Sequence, residues 1–123
     1  MNVAVYGASG YTGRRVAREL VGRGQRVLLS GRDLGKLEAL QRELGAKTSV
    51  RVAPLDDADA LAALARDARA LVNCAGPFSA SVRPVATAAL AERCHYVDVS
   101  AEDRKSTRLN SSHRRLSRMP SSA

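Results

Sequence analysis

The chain has almost no aromatic side chains, no long apolar run and no signal-peptide pattern. Tyrosine occurs three times, phenylalanine once and tryptophan not at all, so aromatic residues make up 3% of the 123 residues. Stacking platforms for single-stranded nucleic acid are therefore missing. No apolar stretch approaches the roughly 20 residues of a membrane-spanning helix, and the start MNVAVYGAS is not a secretory leader. We expect a cytoplasmic protein with neither a membrane nor a nucleic acid as partner.

Cysteine is also scarce. Cys74 and Cys94 have no CxxC spacing and no nearby histidine cluster, which argues against a metal site and against a disulfide scaffold. We expect both thiols to pack as small hydrophobic side chains. With 45% hydrophobic residues, the chain is long enough for one compact domain and too short for two.

The positive charge lies mostly at the C-terminal end. Residues 103–123 contain six Lys or Arg and one acid, whereas residues 1–102 contain 14 basic and 11 acidic side chains. Composition alone would predict a disordered basic arm there. However, residues 103–113 (DRKSTRLNSSH) and 117–123 (SRMPSSA) can both be back-translated, in one frame, into sequence that resembles a short-read sequencing adapter. We therefore predict a domain over residues 1–102 followed by an artefactual tail over residues 103–123.

Apolar runs and helical patterns alternate through residues 1–102. Leucines spaced as on one helix face follow Asp33, a candidate cap, and Gly45 can end that helix. Asp56 or Asp57 can cap the next helix, and Pro84 is tolerable only in the first turn of the last one. The predicted strands cover residues 3–5, 26–30, 49–53, 70–74 and 95–99. This alternation predicts an α/β fold: a Rossmann-like, doubly wound parallel sheet of about five strands, incomplete at its C-terminal side.

Three glycines follow the first strand at intervals of three, in YGASGYTG. Gly7 suits a tight turn, Gly10 lets backbone approach a ligand, and Gly13 lets the helix pack closely on the strand. Placed between a strand and a helix, such a loop is typical of pyrophosphate binding. Ser9 and Thr12 could donate hydroxyls to phosphate or could cap the helix. Tyr11 could cover the cofactor or be exposed.

The end of the second predicted strand bears on the choice of cofactor. NAD sites usually place an acid there for the ribose hydroxyls, whereas NADP sites place a cation for the extra phosphate. This chain has Arg32, which can pair with the 2′-phosphate, and Ser30, which can add a hydroxyl donor. Asp33 suits a helix cap better. We predict NADP as the cofactor, with NAD less favoured.

Read in order, GASGYTGRRVARELV, LLSGRDLGKLEAL, LVNCAGPF and CHYVDVSAE resemble the NADP-binding domain of the saccharopine dehydrogenase-like oxidoreductases, which include the trans-acting enoyl reductases. The resemblance implies that Ala75 and Gly76 lie near the nicotinamide end. An acid often found in that family after strand three is replaced here by Pro54. Asp98 could line the site or act as a local hydrogen-bond acceptor, and we expect His95 and Tyr96 to pack or lie at an edge.

The resemblance also implies hydride transfer to or from a small-molecule substrate held by a second domain, which we expect to be missing here. Tyr96 is not followed by a lysine four residues on, so the dyad of short-chain dehydrogenases is not present at that position. No catalytic residue and no oligomeric state follow from the sequence. The alternative is a non-catalytic NADP-binding sensor or regulatory module, which would lack a substrate domain after Glu102.

Overall fold

The computed structural model describes residues 2–99, in which strands and helices alternate without exception. The elements are β1 (Asn2–Tyr6), α1 (Tyr11–Gly22), β2 (Arg26–Gly31), α2 (Leu34–Leu44), β3 (Thr48–Val52), α3 (Ala58–Arg66), β4 (Ala70–Asn73), α4 (Phe78–Ala91) and β5 (His95–Asp98). Each predicted strand and helix is present, with shifts of a few residues at the ends.

All strand pairs are parallel, and the sheet has the order β3-β2-β1-β4-β5. From the central strand β1 the chain winds outward through β2 and β3, then crosses back to β4 and continues to β5. The winding direction therefore reverses between β1 and β4, where the loops after the two strands diverge and leave a crevice. The prediction of a doubly wound, Rossmann-like parallel sheet is confirmed.

Alternate residues of each strand pack on opposite faces of the sheet. Val5 and Leu29 join a cluster with Leu37 on the side of α1 and α2, whereas Ala4 and Leu71 join a cluster on the side of α3 and α4. Leu29, Leu37 and Leu71 have no exposed surface. Burying a leucine side chain fully contributes about 1.5–3 kcal/mol. The two apolar clusters therefore hold the sheet rigidly between the helices and fix the loops at its edge.

Two aspartates cap helices as their positions in the sequence suggest. The Asp33 carboxylate accepts from the Lys36 N–H at 3.2 Å, and the Asp57 carboxylate accepts from the Ala60 N–H at 3.0 Å. Of the two candidates for α3, the cap is Asp57. Gly45 ends α2 with a φ of +99°, a conformation that favours glycine.

The prediction for α4 is wrong at its start. The helix begins at Phe78, so Pro84 lies in its interior and not in its first turn. A proline there removes the hydrogen bond that an N–H at position 84 would donate to the Ala80 carbonyl. Position 80 is exposed, so water can solvate that carbonyl. Pro77 is the N-cap, a position at which its fixed φ and missing N–H are tolerated.

The thiols of Cys74 and Cys94 are both free; Cys94 is buried and Cys74 half-buried. Burial raises the pKa of Cys74 to about 12 and that of Cys94 to about 11. Within residues 2–99 no group of His, Cys, Asp and Glu could hold a metal ion. No helix in that part of the chain has the length and apolarity to cross a membrane.

Candidate functional site

The loop between β1 and α1 folds back onto the end of β2. The N–H groups of Gly7 and Ala8 both donate to the Ser30 carbonyl, at 2.8 and 3.0 Å. Gly7 has a φ of +78°, and a methyl group on it would lie 2.7 Å from the Ala75 backbone nitrogen. The positive φ and the lack of space for a side chain both require glycine at position 7. Glycine there allows this loop to lie in close contact with the loop that follows β4.

Gly13 and Gly10 are glycines for different reasons. A methyl group at position 13 would lie 2.1 Å from the Gly7 carbonyl oxygen, so only glycine lets α1 pack this closely on the loop. A methyl group at position 10 would meet nothing nearer than that same oxygen, at 3.5 Å, and Gly10 has ordinary extended backbone angles. The protein itself does not demand glycine at position 10. The methyl group would instead occupy the open space in front of the loop.

The N-terminus of α1 opens onto that space. Gly10 is its N-cap, no side chain bonds to the free N–H groups of the first turn, and that turn contains no acidic residue. Such a terminus carries partial positive charge and unused donors, which together favour an anion. The glycine loop and this terminus therefore form a cradle that fits a phosphate group.

A groove of about 390 Å³ runs along the carboxyl ends of β1, β2 and β4. Six of the ten residues predicted from the sequence to contact the cofactor line it: Gly7, Ser9, Gly10, Arg32, Ala75 and Gly76. They come from three separate loops. The structure thus brings together the glycine loop, the cation after β2 and the small residues after β4.

The other four predicted residues lie elsewhere. Gly13 is buried beneath the loop, and Thr12 lies on the outer side of α1. Tyr11 is 70% exposed and accepts a hydrogen bond from Arg15 at 2.6 Å. Ser30 has no exposed surface, and its hydroxyl donates to the Arg51 carbonyl at 2.7 Å. A direct contact between the Ser30 side chain and phosphate is therefore not supported by its position.

Arg32 is exposed at the β2 end of the groove, directly before the Asp33 cap. Burial raises the pKa of the Tyr6 hydroxyl, the nearby Arg32 charge opposes that rise, and Asp56 adds to it. Tyr6 lines the same groove, so Arg32 acts electrostatically across its floor. Lys36 also lines this end, four residues after Arg32. Lys36 was not predicted as a site residue from the sequence, although its position as a second cation four residues after Arg32 could have indicated it.

A larger depression of about 660 Å³ lies along the exposed side of α1, lined by Tyr11 and several arginines. Two of those arginines are engaged by acids, since Arg18 pairs with Glu43 and Arg23 pairs with Glu19. The depression lies away from the carboxyl ends of the strands, where ligands bind in sheets of this kind. The smaller groove is therefore the candidate site.

At the β4 end the backbone is open. Gly76 is exposed, and a methyl group on it would meet nothing within 4 Å. The Gly76–Pro77 peptide bond is cis. Nearby on β5, Tyr96 is buried and lies within electrostatic reach of Asp98, whereas His95 is exposed. Asp98 is not among the residues that line the groove, so its position does not support the interpretation in which it lines the site.

The sheet is doubly wound, and its glycine loop, the N-terminus of α1 and the cation after β2 share one groove. This arrangement defines a dinucleotide-binding domain. The family model for the saccharopine dehydrogenase NADP binding domain matches residues 3–119. The chain belongs to that family, and NADP is the family's cofactor. The prediction of the family and the prediction of NADP are both confirmed.

The chain is similar to several curated proteins. It is 34% identical to a lipid droplet localized protein of Caenorhabditis elegans, over 82% of this chain and 26% of that protein. It is 31% identical to a saccharopine dehydrogenase-like oxidoreductase of Arabidopsis thaliana and to a protein of Mycobacterium tuberculosis described as a trans-acting enoyl reductase, in each case over 82% of this chain and 25% of the relative. The chain therefore spans about a quarter of the length of these relatives.

Among solved structures, a short-chain dehydrogenase/reductase of Veillonella parvula in complex with NADP matches with a TM-score of 0.69. The match covers 80% of this chain and 46% of that one, at 16% identity, and so concerns the fold alone.

The predicted artefactual tail, residues 103–123, lies outside the described residues. The family match includes part of it, since that match extends to residue 119. The interpretation of the tail as translated adapter stays a prediction.

Proposed function

We propose that the groove binds NADP with its pyrophosphate against the glycine loop and the N-terminus of α1. The observation that carries this proposal is Gly10, a glycine that neither the backbone conformation nor the packing of the protein requires. A ligand that approaches the backbone closely explains it. The uncapped first turn of α1 supplies N–H donors at the same place.

The adenosine end then lies over β2, where Arg32 pairs with the 2′-phosphate. A guanidinium presents several donors in a fixed plane and suits a phosphate better than a ribose hydroxyl. Lys36 adds a second positive charge at the same end of the groove. Asp33 does not take the place of the acid found in NAD sites, because its carboxylate caps α2.

The nicotinamide end lies over Ala75 and Gly76, whose backbone offers a close approach without side chains in the way. When bound, NADP supplies the hydride chemistry. The residues of this domain hold the cofactor and orient it. We propose that the longer protein is an oxidoreductase that transfers hydride between NADP and a small molecule held by a substrate domain outside the described residues. A cytoplasmic location belongs to the same proposal.

The test compares NADPH and NADH binding by fluorescence titration in the wild-type chain, in Arg32→Ala and in Arg26→Ala. Arg26 is the matched control because it is exposed at the opposite end of the same strand. Losing charge-assisted hydrogen bonds to the 2′-phosphate weakens binding by about 10- to 100-fold. We expect that loss for NADPH in Arg32→Ala only, with NADH unaffected. Equal affinity of the wild-type chain for both cofactors would contradict the proposal.

A further inference from the structure

A buried polar cluster lies directly behind the β4 end of the groove. It consists of Asn73 at the end of β4, Ser81 in α4, and Tyr96 and Asp98 in β5. Asn73, Ser81 and Tyr96 are at most 2% exposed, and both carboxylate oxygens of Asp98 are buried. Burying polar groups is unfavourable unless they are hydrogen-bonded, and apolar residues would fill the same space more simply.

The cluster holds one residue of the groove by both of its backbone groups. The Ala75 N–H donates to Asn73 Oδ1 at 3.0 Å, and the Ala75 carbonyl accepts from Ser81 Oγ at 2.8 Å. Asn73 Nδ2 donates to Ser81 Oγ at 3.1 Å and closes the ring of contacts. Ala75 is thereby fixed relative to both β4 and α4.

The remaining contacts set the orientation of the Asn73 amide. Because Oδ1 accepts from Ala75, Nδ2 must be the donor, and it donates to the Tyr96 hydroxyl at 3.1 Å. Asp98 lies close enough to the Tyr96 hydroxyl to act on it electrostatically. Burial raises the pKa of Tyr96, the hydrogen bond from Asn73 lowers it, and the nearby Asp98 charge raises it. The hydroxyl stays protonated at neutral pH, so this direction of the hydrogen bonds is maintained.

Ala75 in turn touches the glycine loop. Its backbone nitrogen and Cα lie 2.7 Å from where a methyl group on Gly7 would be, so a shift of Ala75 changes the width of the groove between the two loops. Ala75, Gly76 and Pro77 form the wall of the groove on this side. The position of that wall depends on two side-chain hydrogen bonds to a single residue.

We propose that Asn73 and Ser81 are positioning residues that fix Ala75, and through it the wall of the groove that the nicotinamide half of NADP contacts. Tyr96 and Asp98 orient Asn73 and act one step further away. This inference rests on the proposed function, because it presupposes NADP in the groove. It concerns only the half of the cofactor distant from Arg32.

The experiment measures binding of NADPH and of adenosine 2′,5′-bisphosphate to the full chain by calorimetry. The second ligand has the adenine and the 2′-phosphate but no nicotinamide. Ser81→Ala removes the donor to Ala75 with little change in volume, and Thr87→Ala is the control because Thr87 is exposed on the same helix. Losing that hydrogen bond should weaken NADPH binding by about 3- to 10-fold. Binding of adenosine 2′,5′-bisphosphate should be unchanged, and Thr87→Ala should match the wild-type chain.

Tyr96→Phe is the second variant, because it keeps the buried ring and removes only the hydroxyl. In this variant, too, binding of NADPH should be weakened while binding of adenosine 2′,5′-bisphosphate is unchanged, and the weakening should be smaller than in Ser81→Ala. If binding of both ligands were weakened equally, the cause would be a general loss of stability and the inference would be overturned. Unchanged binding of NADPH in both variants would overturn it as well. A wild-type chain that binds neither ligand would instead refute the proposed function itself.

Discussion

Gly13→Ala should destabilise the domain even though alanine is the better helix former. The added methyl group would lie 2.1 Å from the Gly7 carbonyl oxygen and 2.8 Å from the Ala8 Cα, both of them backbone atoms that cannot rotate away. Either α1 or the loop must move by more than an ångström. Overpacking of this kind costs about 1–3 kcal/mol.

Gly22→Ala is the matched comparison. It makes the same change at the last residue of the same helix, and its methyl group would meet nothing within 4 Å. The gain in helix propensity, up to about 1 kcal/mol, is common to both substitutions. The difference between the two variants therefore isolates the steric term.

The assay is urea unfolding followed by circular dichroism, with the free energy of unfolding taken from the linear extrapolation. We expect Gly22→Ala to match or exceed the wild-type chain. Gly13→Ala should be less stable than Gly22→Ala by about 1–3 kcal/mol. For a domain of this size that corresponds to a melting temperature lower by at least about 4 °C. If Gly13→Ala were as stable as Gly22→Ala, the close packing of α1 on the glycine loop would be refuted.

Three further predictions concern the loop, the caps and the thiols. Gly10→Ala should change the free energy of unfolding by no more than about 1 kcal/mol, because only the N-cap preference is lost. The same variant should bind NADPH at least about 10-fold more weakly in a titration, and unchanged NADPH binding would contradict the role proposed for Gly10. Asp33→Ala and Asp57→Ala should each lower the free energy of unfolding, measured in urea, by about 1 kcal/mol, because each removes a helix cap. Asp56→Ala should leave that free energy unchanged, and an equal effect of Asp56→Ala would contradict the assignment of Asp57 as the α3 cap. The free energy of unfolding should fall as pH rises from about 9 to about 12, because the Cys74 thiol ionises in the unfolded chain in that window while the buried thiol of the folded chain keeps its proton. Cys74→Ala should make this dependence on pH less steep, and an unchanged dependence would show that the thiol does not contribute.

The features that could be predicted from the sequence are local ones. The leucine spacing after Asp33 predicts the core positions Leu37 and Leu40 of α2, although Leu34, the first leucine of that stripe, is exposed. Asp33 and Gly45 mark the ends of the helix through their own hydrogen bonding and backbone conformation. The three glycines indicate the loop by their spacing directly after the first strand, and two of them, Gly7 and Gly13, are required by the packing of the loop itself. Parallel βα alternation then leaves few possible topologies.

The features that could not be predicted depend on neighbours distant in sequence. Ser30 lies within β2, two residues before Arg32, and the pairing of β2 with β3 turns its hydroxyl toward the Arg51 carbonyl. Pro84 falls inside α4 because the helix starts directly after Pro77, which a preference for proline in the first turn does not reveal. The hydrogen bonds of Asn73 join residues 8 and 23 positions apart. Only the folded sheet brings these groups together.

The most direct test of the central claim is a ¹⁵N NMR titration of the full chain with NADPH. We expect the largest amide shifts in three places: the glycine loop from Gly7 to Gly13, the Gly31–Arg32 turn, and Ala75–Gly76. NADH should perturb the glycine loop and Ala75–Gly76 with little effect at Arg32. Shifts confined to the outer side of α1, or no saturable shifts at the three loops, would contradict the claim that this groove is the NADP site.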